Sequence, residues 1–202
     1  MTGGTVRVGF ALLAGGRAER YGGRPKGLLR RPDGTTLAEH LLGAAAAAGL
    51  ERRIVVTNDP DAYRPLGHAL VRDLRPGCGP LGGIEAALEH FSGSCEGVLF
   101  LPCDLPGFSA REAAALRDAF AARKARLVVA RTADFSWHPL CSVVHIGLRR
   151  AVGEALDRGA RAVGRLWRDL GAEPVDFPDA APFFNVNAPE DLEAWRRQEG
   201  IS

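Results

Sequence analysis

Lysine is almost absent from this chain of 202 residues: Lys26 and Lys124 are the two exceptions among 26 basic side chains. Asparagine and glutamine are nearly as scarce, reduced to Asn58, Asn185, Asn187 and Gln198. Such depletion accords with a thermophilic bias or with biased base composition, and it leaves three positions where an asparagine was kept. The four cysteines, Cys78, Cys95, Cys103 and Cys141, form no C-x-x-C pair and have no ordered histidine companions, which argues against structural zinc and a disulfide framework. No apolar run approaches the ~20 residues of a membrane span, and no charged-then-apolar leader precedes the first strand pattern. A cytoplasmic protein with no membrane partner is expected. A net charge of +2 is too small for a general polyanion binder, so nucleic acid is not an expected partner. A Walker A loop is missing too, and no G-x-G-x-x-G follows the first strand.

What the chain does have is a glycine-rich, basic loop near its start. The apolar run 8–13 reads as a strand buried on both faces. It leads into Ala14-Gly15-Gly16-Arg17, then Arg20-Tyr21-Gly22-Gly23-Arg24-Pro25-Lys26-Gly27, before a helical pattern begins near Thr36. Glycines let backbone N–H groups approach a ligand where a Cβ would obstruct, and the arginines and Lys26 add positive charge, a combination suited to a triphosphate. An ordinary mobile surface loop has the same composition. Where arginine is otherwise the rule, a lysine at position 26 suggests chemistry that wants a compact ammonium on a flexible stem.

Farther along, strands are expected at 53–58, 69–73, 97–101, 127–130, 138–146 and 174–176, the last at a sheet edge. Helices are expected at 36–48, 81–91, 109–122, 148–157, 162–170 and 189–198. Ser109 with Glu112 forms a capping signature, and Asn187 is the better cap for the last helix because Ala188 is a poor one. Strands alternating with helices at this spacing imply an α/β fold: a Rossmann-like, three-layer α/β/α single domain over 1–202 with a mostly parallel central sheet. At this size a folded chain buries roughly 70% of its extended surface. Ligands on such sheets lie beyond the carboxyl ends of the strands, and Gly15, Gly16, Asn58, Asp73 and Asp104 all fall at expected strand ends.

Asp104, just past the most apolar strand and flanked by Pro102 and Pro106, is the candidate metal ligand, taking one position on Mg²⁺ while phosphate oxygens and water fill the rest. A turn-forming aspartate without metal is the competing reading. Asp73 reads as a second ligand, a nucleotide contact or a loop-starting residue. Asn58 offers donor and acceptor to a base or ribose, or simply ends its strand. Asn185 and Asn187 alternate around Val186 and so face one way, as a pair on one ligand. No nucleophile motif accompanies His138, which leaves it a structural or substrate-contacting histidine.

Leu13-Ala14-Gly15-Gly16, Arg20-Tyr21-Gly22-Gly23, Lys26, Asn58, Asp73, Gly79-Pro80-Leu81-Gly82-Gly83-Ile84, Pro102-Cys103-Asp104-Leu105-Pro106, His138-Pro139-Leu140 and Asn185-Val186-Asn187-Ala188-Pro189-Glu190-Asp191-Leu192 occur in the order that resembles the molybdenum cofactor guanylyltransferases. The resemblance spans nearly the whole chain. It implies GTP and molybdopterin as substrates, Mg²⁺ as cofactor, and molybdoenzymes or their chaperones as further partners. By motif position it implies a nucleotide site of Leu13, Ala14, Gly15, Gly16, Lys26, Asn58, Asp73 and Asp104. Lys26, Asp104 and Arg20 would be catalytic, Asp104 the Mg²⁺ ligand, and Asn185, Asn187 and His138 the pterin side. The N-terminal half would hold mainly GTP and the C-terminal half mainly the pterin. The chain departs from the family at Tyr21, Pro25, Gly82 and Ala188, where methionine, aspartate, alanine and threonine are usual. A cytidylyltransferase acting on the same pterin with CTP, or a non-catalytic GTP or cofactor carrier, are the alternatives.

Overall fold

The apolar run 97–101 becomes β4 (Gly97–Pro102), buried throughout, at the centre of a seven-stranded sheet in the computed structural model, which describes residues 6–15, 25–187 and 189–198. β1 (Val8–Leu13) lies parallel beside it, followed outward by β2 (Arg53–Val56) and β3 (Ala69–Val71). On the other side come β6 (Trp137–His145), β5 (Leu127–Thr132) and β7 (Glu173–Phe177), giving the order β3-β2-β1-β4-β6-β5-β7. β6 runs antiparallel to both neighbours and the other pairs are parallel, so the sheet is mostly parallel, as expected. β7 is an edge strand, which is why it tolerates Pro174.

Helices α1 (Leu37–Ala47) and α4 (Ala110–Arg123) cover one face, packing Leu41, Ala45, Leu116 and Phe120 against Phe10, Leu12, Leu99 and Val143. Helices α3 (Pro80–His90), α5 (Arg149–Asp157) and α6 (Val163–Asp169) cover the other, where Ile84, Leu88, Val152 and Trp167 meet Ala11, Val56, Phe100 and Val129. Alternation of side chains along each strand supplies both faces from one apolar run. A short helix, α2 (Pro60–Tyr63), and the last helix, α7 (Pro189–Gln198), complete the set. Capping boxes start α1 at Thr36 with Glu39 and α4 at Ser109 with Glu112. Among the described residues no helix is long and apolar enough to cross a membrane.

Two departures from the expected boundaries matter for the site. β3 stops at Val71, because the Asp73 N–H leaves the ladder and donates to the Asn58 side chain at 3.3 Å. In β6 the register against β5 jumps at Val129/Ala130, so that Ala130 pairs with His138 while Val129 pairs with Ser142. The bulge absorbs Pro139, whose carbonyl is taken by the Trp167 indole N–H at 2.9 Å, and it re-aims His138 at the end of the sheet.

Glycine at 97 is dictated by packing: a Cβ there would stand 2.7 Å from the Phe120 ring, whereas one at Gly43, on the exposed side of α1, would meet nothing within 4 Å. Gly97→Ala is therefore expected to destabilise by ~1–3 kcal/mol through overpacking. Gly43→Ala should stabilise by about 0.5–1 kcal/mol as a helix-interior glycine removed. Urea unfolding of both variants checks the opposite signs, and equal midpoints would contradict this packing.

Candidate functional site

The antiparallel turn of β6 brings its first residues to the same edge of the sheet as the carboxyl ends of β1, β2, β4, β5 and β7. At the centre, β1 and β4 run in register to Leu13 and Pro102, and the Cys103 N–H continues the ladder to the Leu13 carbonyl at 3.2 Å. Ala14 is tied to the neighbouring strand by its N–H to the Val56 carbonyl at 2.8 Å. Gly15 therefore emerges beside Cys103-Asp104, exposed, with Asn58 Nδ2 3.8 Å from where a Cβ would lie. That is ordinary contact, so none of the described residues forbids a side chain at Gly15. What a glycine leaves open is the backbone facing outward.

Asn58 and Asp73 form a pair across the ends of β2 and β3. Asn58 Nδ2 donates to Asp73 Oδ2 at 2.8 Å while its Oδ1 accepts the Asp73 backbone N–H. The first turn of α3 lies against this carboxylate. A Cβ on Gly83 would come 3.2 Å from Asp73 Oδ1 and 3.0 Å from Val56, and one on Gly82 would come 3.0 Å from the Arg75 carbonyl. The Gly79-Pro80-Leu81-Gly82-Gly83 run thus has a physical reason: the helix must approach the Asp73 loop more closely than side chains allow. The alanine that the resemblance implies at position 82 would be tight in this arrangement.

Asp104 sits at the other side of the β1 tip. Lys26 Nζ is 3.5 Å from Asp104 Oδ2 and donates to Asn187 Oδ1 at 3.2 Å, and the Val186 N–H donates to the Asp104 carbonyl at 2.9 Å. Three segments distant in sequence meet here. Pro25 starts the tight turn Lys26–Leu28 with its φ already set near −59°, so proline at this position serves the turn that presents Lys26. Gly27 allows the turn to lie on the sheet end, since a Cβ would meet Tyr63 Oη at 2.8 Å and Cys103 Cβ at 3.2 Å. Asn187, expected as a helix cap, gives its side-chain oxygen to Lys26 and its backbone N–H to Asp191 Oδ2 at 2.7 Å.

The Asp104 carboxylate is only 14% exposed, and its Oδ1 is buried with no hydrogen-bond partner among the described residues. Burial raises its pKa, and the Lys26 ammonium offsets only part of that rise. A buried carboxylate oxygen left without a donor is the arrangement a hard cation satisfies. Among the described residues no three His, Cys, Asp or Glu side chains cluster for a metal, so Asp104 suits a cation that arrives with other ligands, such as polyphosphate oxygens. Cys103 next to it is pushed up to about 12 by burial, with the Asp104 charge adding, and stays a protonated packing thiol rather than a nucleophile.

On the β5–β6 side opens a cavity of about 620 Å³ lined by Thr132, Asp134, His138, Phe183, Asn185 and Asn187, among others. Val186 is fully buried between the two exposed asparagines, which is what turns both toward the cavity. His138 stacks on Phe183 with ring centroids 4.6 Å apart. Asn187 belongs both to this cavity and to the Lys26 cluster, so the two are contiguous. A smaller hollow of about 260 Å³ near Arg53 and His68 lies toward the opposite end of β2.

Of the residues singled out from sequence, Leu13, Ala14, Gly15, Asn58 and Asp73 thus stand on one side of the β1 tip. Lys26, Asp104, Asn187, Asn185 and His138 stand on the other, while Gly16 and Arg20 lie outside the described residues. Sequence reading named Gly27 and Gly83 within motifs without a role of their own, and missed Thr132 and Asp134. The last two were signalled by Thr132-Ala133-Asp134-Phe135-Ser136, a polar turn pattern directly after a strand.

The strain at Asp104 has a consequence for stability. The folded protein holds its proton more tightly than the unfolded chain does, so this residue's contribution is complete at low pH. It is lost as pH climbs from the ordinary carboxylate range through the raised value. At neutral pH Asp104→Asn should raise the melting temperature of the metal-free protein by a few degrees, the shift that about 1 kcal/mol makes in a domain of this size. The same variant should lose any upward shift produced by Mg²⁺ or Mn²⁺ with nucleoside triphosphate. Thermal unfolding with and without these ligands measures both.

The chain is similar in sequence and fold to known proteins. The model of the MobA-like NTP transferase domain matches residues 10–173. A molybdenum cofactor guanylyltransferase of Serratia proteamaculans (strain 568) is 32% identical over 194 residues, covering 95% of each chain. Another, of Pseudomonas fluorescens (strain SBW25), is 34% identical over 184 residues and 90% of each. The molybdopterin-guanine dinucleotide biosynthesis protein A of Archaeoglobus fulgidus shares the fold, with a TM-score of 0.75 at 20% identity over 96% of this chain and 99% of that one. With the family model and these relatives covering most of its length, the chain belongs to the MobA-like NTP transferase family.

Proposed function

We propose that this nucleotidyltransferase transfers GMP from GTP to molybdopterin, forming molybdopterin guanine dinucleotide and releasing pyrophosphate. The observation that carries the reading is the half-satisfied Asp104 carboxylate beside Lys26 at the β1 tip, in a chain whose relatives are named for guanylyl transfer.

In this reading GTP lies over Leu13, Ala14, Gly15 and Gly16. Asn58 and Asp73 take the nucleoside end, and the triphosphate runs toward Lys26 and Asp104, with Arg20 assigned a catalytic part by motif position. The pterin occupies the cavity of His138, Asn185 and Asn187, so that one domain holds GTP mainly in its N-terminal half and pterin mainly in its C-terminal half. The attacking atom is an oxygen of the molybdopterin phosphate, which as a monoester with a second pKa of ~6 is largely dianionic at neutral pH. It forms a bond to the α-phosphorus as the bond to the β-phosphate oxygen breaks. No proton has to be removed, so the protein needs no general base. Its task is alignment and neutralisation of charge on the reacting phosphates. Lys26 is close enough to Asp104 and Asn187 to hold its ammonium where the two substrates meet. A divalent cation, Mg²⁺ in this proposal, would be held by Asp104 and would neutralise phosphate oxygens when bound. Cytoplasmic location, and delivery of the product to molybdoenzymes or their chaperones, belong to the same proposal.

Asp104→Ala is expected to lower Mg²⁺-dependent guanylyl transfer by about 100-fold or more, the scale of losing an electrostatic stabiliser, with an unchanged circular dichroism spectrum. Lys26→Arg should lose roughly tenfold, because a planar fork does not replace a compact ammonium between an acid and an amide. Parallel assays with GTP and CTP decide the nucleotide: faster turnover with CTP would move the proposal to cytidylyl transfer, and GTP binding without pyrophosphate release would move it to a carrier.

A further inference from the structure

Thr132 closes β5 at 2% exposure with its hydroxyl between two polar side chains. The hydroxyl oxygen is 2.6 Å from Asp134 Oδ1 and 3.1 Å from His138 Nε2. Asp134 also accepts the Ser136 hydroxyl at 2.7 Å and the Ser136 N–H at 3.2 Å. These donors, the Thr132 hydroxyl first, hold its pKa down to about 2, so it is an ionised group that only accepts. The short contact therefore takes the Thr132 proton. Another acceptor, the Ser136 carbonyl, is farther from the hydroxyl, at 3.3 Å, and already receives the Thr132 N–H at 3.0 Å. Toward His138 the Thr132 oxygen has only lone pairs left, and the proton in that contact must be on Nε2.

Burial keeps the His138 pKa below the usual histidine range, with the Asp134 charge opposing, so the ring is neutral at physiological pH and Nδ1 carries a bare lone pair. The ring is held in plane by its stack on Phe183, which is itself braced by Phe177 at 4.9 Å and Phe108 at 5.7 Å. Nδ1 makes no hydrogen bond among the described residues, and His138 lines the cavity.

We propose that Thr132 and Asp134 are positioning residues for the acceptor substrate: the chain Asp134–Thr132–His138 fixes the imidazole as its Nε2–H tautomer and presents Nδ1 as a hydrogen-bond acceptor to an N–H donor of a heterocycle bound in the cavity. A pterin, with its ring amide and exocyclic amine, offers such donors. The recognition half of this inference rests on the functional reading above, and the tautomer half does not.

Histidine-selective ¹⁵N labelling reports which ring nitrogen bears the proton in the ligand-free protein, with His138→Gln identifying the signal. The expected result is an Nε2–H ring in the wild type, a mixed or Nδ1–H ring in the near-isosteric Thr132→Val, and recovery in Thr132→Ser. In transfer assays Thr132→Val and Asp134→Asn should raise KM for molybdopterin about tenfold, the scale of one hydrogen bond, and leave KM for GTP within about twofold. Thr132→Ser, which keeps the hydroxyl, should keep the wild-type KM for molybdopterin. An Nδ1–H ring in the wild type, or an unaltered ring in Thr132→Val, overturns the relay. An Nε2–H ring with an unmoved pterin KM overturns the recognition role while guanylyl transfer stands. A wild-type protein that transfers no GMP overturns the functional reading and the recognition role with it, and the ring spectra still decide the relay.

Discussion

A carboxylate withdrawn from water at the end of a fully buried strand is the constraint that the site answers to. Ionising a buried acid is costly unless charge and hydrogen bonds compensate, and at Asp104 the compensation is incomplete: one oxygen faces Lys26, and the other has no hydrogen-bond partner among the described residues. Supplying even that half requires three parts of the chain. Pro25 and Gly27 shape the turn that carries Lys26, Val186 ties the 185–187 segment to the Asp104 backbone, and Asn187 holds the far side of the ammonium. The rest of the fold exists, in this sense, to deliver those parts to one place and keep them there.

The second consequence is a division of labour around the β1 tip. On one side a neutral amide and a carboxylate, Asn58 and Asp73, satisfy one another and are pressed against the glycine-lined start of α3. On the other, a positive side chain borders an open cavity with an aromatic floor. The surface thus changes character across one strand end, from a self-satisfied polar pair to a positive side chain beside an open cavity. Because Asn187 is shared between the ammonium and the cavity, a ligand in the cavity and a phosphate near Lys26 would be neighbours rather than occupants of separate sites.

Much of the fold was legible from the chain itself. The apolar run 8–13 read as a strand buried on both faces and 97–101 as the most apolar strand, Ser109 with Glu112 marked a helix start, and 174–176 read as an edge strand. Residues at strand ends were recognisable as candidates because a parallel sheet puts its carboxyl ends on one side. What escaped was of two kinds. The antiparallel course of β6 and its bulge depend on which strand it pairs with, and no local pattern in 138–146 states that. The hairpin residues Thr132 and Asp134 were passed over, because their bearing on His138 needs the bulge that sets the imidazole beside them.

Periodicity, caps and turn chemistry thus determined the elements, their layers and the edge of the sheet where a site must lie, since these follow from preferences acting within a few residues. The tertiary structure alone decided that Lys26 reaches Asp104 and Asn187, that Asn58 is spent on Asp73, and that Gly82 and Gly83 are small for the sake of a carboxylate. Those outcomes are contacts between residues far apart along the chain, and their geometry is fixed by strand order and packing, which no single stretch of sequence contains.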